Sequence, residues 1–125
     1  MRISLAESVV MQALWSQAPL TADEIVAAIA KDQGWTDVTV RTLINRLLKK
    51  KAISAKRDKS DGRRFLYRPI VKRADYVQEE SQGLLDRLFD GRVAPLVSHF
   101  SQRRRLGAED IAELRRLIDE LDNGR

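Results

Sequence analysis

Along the first half of the chain, apolar residues recur at helical spacing between short polar breaks. Ser4-Leu5-Ala6-Glu7 has the spacing of a capping box, with Ser as N-cap and Glu three positions into the helix. Leu5, Val9, Leu14 and Trp15, with Val10 and Met11, then mark one stripe, and Pro19 stops the helix. Thr21-Ala22-Asp23-Glu24 repeats the capping box. Ile25, Ala28 and Ile29 follow at helical spacing up to Gly34. Thr36 caps a third helix predicted from about Asp37 to Lys50. On a helical wheel its Val40, Leu43, Ile44, Leu47 and Leu48 fall within about 140° of arc. Val38, Thr42, Asn45 and Lys49 lie opposite them, with Arg41 and Arg46 at the flanks and Thr39 beside Arg46.

After the third helix the period changes from helical to two. Ala52 to Arg57 alternates apolar and polar, as a half-buried strand does. Asp58 to Gly62 is turn chemistry, Arg63 to Arg68 alternates again, and Pro69 ends the run. Three helices followed by a hairpin with a basic tip is the order of a winged helix.

The remainder is helical. Tyr76, Leu84, Leu85, Leu88 and Phe89 share one side of a helix predicted from about Lys72 to Phe89, and Asp90-Gly91 interrupts it. Val93, Leu96, Val97 and Phe100 define a short helix that tolerates Pro95 in its first turn. Ile111, Leu114, Ile118 and Leu121 repeat at three-four-three spacing, with Leu117 widening the stripe. None of these helices can bury its apolar side alone, so packing against a second copy is expected. Leu84, Leu88, Leu96, Phe100, Ile111, Leu114, Ile118 and Leu121 are the candidate dimerisation residues. The expected fold is therefore mainly α with a small β-hairpin wing: a winged helix-turn-helix domain over 1–70 and a helical dimerisation region over 71–125.

Charge sharpens this division. The chain carries a net charge of +5. Residues 1–70 hold 13 Lys/Arg against 7 Asp/Glu, and residues 71–125 hold 10 against 11. Within 39–68 there are 11 basic and 2 acidic side chains. A basic block on one folded unit is the electrostatic footprint of a nucleic-acid binder. With 0 cysteines, disulfides and thiolate metal sites are excluded, and no cofactor is expected. No apolar run reaches the roughly 20 residues that span a bilayer, and the N-terminus lacks the apolar core of a signal peptide. A cytoplasmic protein without membrane insertion is expected.

Enzyme chemistry finds little support. There is 1 His, no glycine-rich phosphate loop, no HExxH, and no spacing that pairs Ser, His and Asp. For double-stranded DNA, Thr39, Arg41, Thr42 and Asn45 are the candidate base readers. Arg can bridge guanine O6 and N7, Asn can bridge adenine N6 and N7, and Thr can meet a thymine methyl. Arg46, Lys49, Lys50, Lys51, Lys56, Lys59, Arg63 and Arg64 are the candidate phosphate contacts. Three alternatives stay open: a winged-helix adaptor for other proteins, a nonspecific DNA binder, and a regulator that senses a small ligand.

The same residues carry a family resemblance. Ile3 to Glu7 with Val10, Met11 and Trp15, Thr21 to Ile25, Trp35-Thr36, and Thr39 to Leu47 resemble the penicillinase-repressor family, of the BlaI, MecI and CopY type. Lys49-Lys50-Lys51 matches the family's Lys-Lys-Gly with Lys in place of Gly. Gly62-Arg63 through Pro69 resembles its wing, and Leu96 to Phe100 with the 111–121 helix resembles its dimerisation region. The resemblance implies a homodimeric repressor on a palindromic operator, induced when a sensor-linked protease triggers cleavage in the C-terminal part. The family's scissile bond is usually Asn-Phe, and His99-Phe100 stands at that place. Read without the family, Phe100 is a core anchor and His99 a surface residue. Copper-responsive members carry a cysteine-rich tail, which this chain lacks, so metal sensing by that route is not implied.

Overall fold

A computed structural model describes residues 2–103 and 106–124. Six helices and two strands follow in the order α1 (Leu5–Gln17), α2 (Ala22–Gln33), α3 (Asp37–Lys49), β1 (Ile53–Arg57), β2 (Phe65–Pro69), α4 (Arg73–Leu88), α5 (Val93–Gln102) and α6 (Ala108–Asn123). The chain packs as two units, residues 1–77 and 78–125. The division falls beyond the expected boundary at 70 because the start of α4 packs on α1. Trp15 Nε1 donates to the Val71 carbonyl at 2.9 Å, and the rings of Trp15 and Tyr76 lie 5.4 Å apart.

Local chemistry sets the helix starts. Both capping boxes form: Ser4 Oγ accepts from Glu7 N at 3.1 Å and Thr21 Oγ1 from Glu24 N at 3.1 Å, while each Glu carboxylate accepts from its cap N–H. Gly34 ends α2 in the left-handed region at φ 69°, where a side chain is disfavoured. Thr36 caps α3 by accepting from Thr39 N at 3.2 Å.

The core of the first unit gathers Ile3, Val10, Met11, Leu14, Leu20, Ile25 and Ile29 with Val40, Leu43, Ile44, Leu47, Ala52 and Ile53. Full burial of the Val, Leu, Ile and Met side chains among these stabilises by roughly 1.5–3 kcal/mol each. Two expectations are corrected. Leu5 is 83% exposed, because the stripe α1 turns inward is Glu7, Val10, Met11 and Leu14, and Leu5 lies about 170° away on the wheel. Ala28 is exposed as well, while Ile25 and Ile29 are buried.

Strands β1 and β2 pair antiparallel in the register Ile53↔Pro69, Ala55↔Tyr67 and Arg57↔Phe65. Leu20 adds a one-residue bridge to the sheet, exchanging backbone hydrogen bonds with Tyr67 at 3.2 and 2.8 Å. The second strand begins at Phe65 rather than Arg63, because Arg63 and Arg64 belong to the turn. Pro69 closes the ladder as its last residue, an end position that tolerates a missing N–H.

Candidate nucleic-acid interface

Burial divides α3 cleanly. Val40, Leu43, Ile44 and Leu47 are buried, while Val38, Thr42, Asn45, Arg46 and Lys49 are exposed. Two of the expected base readers have their side-chain groups engaged within the helix or its cap. Thr39 Oγ1 lies 3.1 Å from Thr36 Oγ1, and Thr42 Oγ1 donates to the Val38 carbonyl at 2.9 Å. A third, Arg41, is braced between helices: Nη2 donates to Asp23 of α2, and Nε donates to Asp37 at 3.2 Å. Among the described residues, Asn45 has no intramolecular side-chain partner. Arg41 is thus a strut between α2 and α3, a role its position at the flank of the wheel did not suggest.

Lys50, a candidate phosphate contact, is engaged within the fold. It is the C-cap of α3, and its Nζ lies 2.5 Å from Glu7 Oε1 and donates to the Arg2 carbonyl at 2.8 Å. Glu7 is 1% exposed, so Lys50 neutralises a carboxylate on the core side of α1. Burial by itself pushes the Glu7 carboxyl up. The bonds from Lys50 and Ser4 outweigh it and hold the group below the usual carboxylate range.

The tip between the strands is tied by acidic residues. Asp58 accepts from Ser60 N at 3.0 Å, from Ser60 Oγ at 2.8 Å and from Arg64 Nη2 at 3.0 Å. The Ser60 bonds, with Arg64 beside them, lower its pKa. Asp61 accepts from Arg63 N at 3.0 Å and lies 3.5 Å from Arg64 Nε. Arg57 donates to the Gly62 carbonyl, and its guanidinium sits 5.1 Å from the Phe65 ring centre. Arg64, expected on a phosphate, is exposed and pairs within the turn with Asp58 and Asp61. Arg46, Lys49, Lys51, Lys56, Lys59 and Arg63 are exposed, with no intramolecular charge partner among the described residues. Arg68 joins them. Its register opposite Ser54 puts it on the same sheet face as Lys56, away from the core-facing Ile53 and Tyr67. The alternation of the second strand carries that signal. Arg41 and Arg63 line one cleft of about 190 Å³, with Thr21, Phe65 and Tyr67, so α3 and the wing share a side of the unit.

Comparison with known proteins matches the model of the penicillinase-repressor family over residues 3–120. The chain belongs to the penicillinase-repressor family. It is 36% identical over 119 residues to a penicillinase repressor of Staphylococcus aureus, covering 95% of this chain and 92% of that protein. It is 30% identical over 122 residues to a penicillinase repressor of Bacillus licheniformis, covering 98% and 93% respectively. A solution structure of the DNA-binding domain of the repressor BlaI superposes with a TM-score of 0.53 at 32% identity, over 60% of this chain and 88% of that one. As a penicillinase-repressor family member with this winged-helix unit, the chain is a DNA-binding transcriptional repressor.

The second unit of this family member contrasts with the first. None of the described residues of α4, α5 and α6 is buried. Leu88, Ile118 and Leu121 are 63%, 56% and 70% exposed, and Leu84, Phe100 and Ile111 are exposed too, while Leu96 and Leu114 are half-buried. The expectation that Phe100 anchors a core is corrected for the single chain, where it is 40% exposed. His99 is exposed, with its ring 6.2 Å from Phe89, and the His99–Phe100 bond lies inside α5. Among the described residues, no helix is long and apolar enough to cross a membrane.

Proposed function

We propose that the protein represses transcription as a homodimer on an inverted-repeat operator, with α3 in the major groove and the wing on the flanking backbone. The observation that carries the reading is the collection of unpartnered cations along one unit: Arg46, Lys49 and Lys51 at the end of α3, and Lys56, Lys59 and Arg63 on the wing. Each cation set on a phosphate releases condensed counterions, so affinity follows charge while α3 selects sequence. The adaptor reading needs an apolar outer face on α3 and is left with Val38 alone.

The exposed apolar residues of α4, α5 and α6 support dimerisation, since a large exposed patch marks an association site. A second copy would bury them and set the two α3 helices roughly 34 Å apart, one turn of DNA. Cleavage at His99–Phe100 by a sensor-linked protease would part Ile111, Leu114, Ile118 and Leu121 from the rest and so release the operator. Because the bond is helical, α5 must unwind locally before a protease can seat it.

The test is retention of genomic fragments by the full chain at physiological salt, followed by sequencing. A shared inverted repeat is expected. Retention with no shared sequence would reduce the protein to a charge-driven binder.

A further inference from the structure

Resting on the reading of α3 as the major-groove helix, we propose that this repressor recognises thymine methyl groups through Val38 and Thr42, with Asn45 as its one direct hydrogen-bonding reader. The outermost line of α3 runs Val38, Thr42, Asn45, at spacings of four and three, so the three side chains stand above one another along one face. From Val38 to Asn45 is roughly 10 Å of helix, about the span of three base pairs. Val38 is 72% exposed near the start of the helix, the end that a recognition helix turns to the base edges. Its two methyls cannot donate or accept. Thr42 gives its hydroxyl to the Val38 carbonyl at 2.9 Å, which leaves its γ-methyl as the free group of the side chain.

Two of the other candidate base readers are already engaged, and the exposed, unpartnered Arg46 and Lys49 are the phosphate contacts of that reading. Thr39 is held in the Thr36 cap, and Arg41 is held by Asp23 and Asp37. Bidentate guanine reading by Arg41 would require breaking two ion pairs. What remains is two apolar contacts followed by one amide. In the major groove, thymine alone among the bases presents a methyl group, and Asn pairs bidentately with adenine N6 and N7. The half-site expected for this helix therefore places thymines beside an adenine within three base pairs.

The experiment uses the full-length protein and a duplex selected by it from a random library. The same duplex is also made with deoxyuridine in place of thymidine, which deletes only the methyl groups, and in a shuffled order. One methyl buried per half-site is worth about fourfold, so the uracil duplex is expected to bind roughly tenfold or more weakly to two half-sites. In the double variant Val38→Ala, Thr42→Ser, which keeps the serine hydroxyl for the Val38 carbonyl position, that ratio is expected to fall to about one. Asn45→Ala is expected to relax preference at the adenine alone. Equal wild-type affinity for thymidine and uracil duplexes overturns the methyl-reading assignment. A uracil penalty of the same size in the double variant overturns it too, by placing methyl recognition elsewhere. Equal wild-type affinity for the selected and shuffled duplexes would instead overturn the DNA-reading function on which it rests.

Discussion

Glu7 puts a carboxylate on the core side of α1, where desolvation alone would make the charged form costly. Three bonds offset that cost: from Lys50 Nζ at 2.5 Å and from Ser4 N at 2.8 Å to the carboxylate, with Ser4 Oγ holding the Glu7 backbone. Since the folded pKa lies below the ordinary value, the ion pair stabilises the fold at neutral pH. That contribution is lost as pH falls through the carboxylate range. Glu7→Gln is expected to cost roughly 1–3 kcal/mol in urea unfolding at pH 7. The gap between variant and wild type should shrink below about pH 4, as the wild-type carboxylate takes up its proton. A variant as stable as wild type at pH 7 would refute this account of the pair. Lys51, which stands where the family resemblance puts glycine, holds φ at 62°. Lys51→Gly should raise stability by roughly 0.5–1 kcal/mol after glycine's greater unfolded-state entropy is deducted. It should also weaken DNA binding through the lost cation, so stability and affinity must move in opposite directions in the two assays.

Among the elements, the wing separates cations that point outward from those that build it. Lys59→Ala or Arg63→Ala should weaken binding evenly across sequences and reduce the slope of log K against log salt by about one per contact. Arg64→Ala should act differently, because its guanidinium joins Asp58 and Asp61. Its effect is expected in hydrogen exchange of the turn before it appears in the salt slope. An equal slope change for Arg64 and Lys59 would contradict this sorting. Helix starts were legible in the sequence because capping is local: Ser4, Thr21 and Thr36 each bond within three residues. The pairs formed across the fold were not. Lys50 meets Glu7 43 residues away and Arg41 meets Asp23 18 residues away, and no local pattern encodes either. The direction of Leu5 escaped for a related reason. A carboxylate in the inward stripe disguised which side of α1 was the core. Arg68 and Val38 could have been read from strand alternation and the wheel. Val38 carries no polar group to mark it as a contact, which is why its place on the outer face suggests no role by itself.

Across the whole molecule, charge is uneven: residues 1–70 hold 13 Lys/Arg against 7 Asp/Glu, and residues 71–125 hold 10 against 11. Leu88, Ile118 and Leu121 of the second unit stay exposed within one chain, so in the proposed dimer their burial should control operator affinity rather than the fold of the first unit. A chain ending at His99 lacks α6. It is expected to sediment as a monomer and to bind the operator about 10²–10⁴-fold more weakly than the full chain, because two-site binding becomes single-site binding. Its first-unit core, and hence its unfolding midpoint, should change little. A truncated chain that binds as tightly as the full one would remove the basis for release by proteolysis. Operator reading by a dimer is tested most directly by the affinity of the full chain for its selected duplex and for a shuffled duplex of the same composition, at about 0.15 M salt, with the stoichiometry measured alongside. The prediction is two chains per duplex and a preference of at least about 10³-fold. Equal affinity for the two duplexes, or one chain per site, would contradict it.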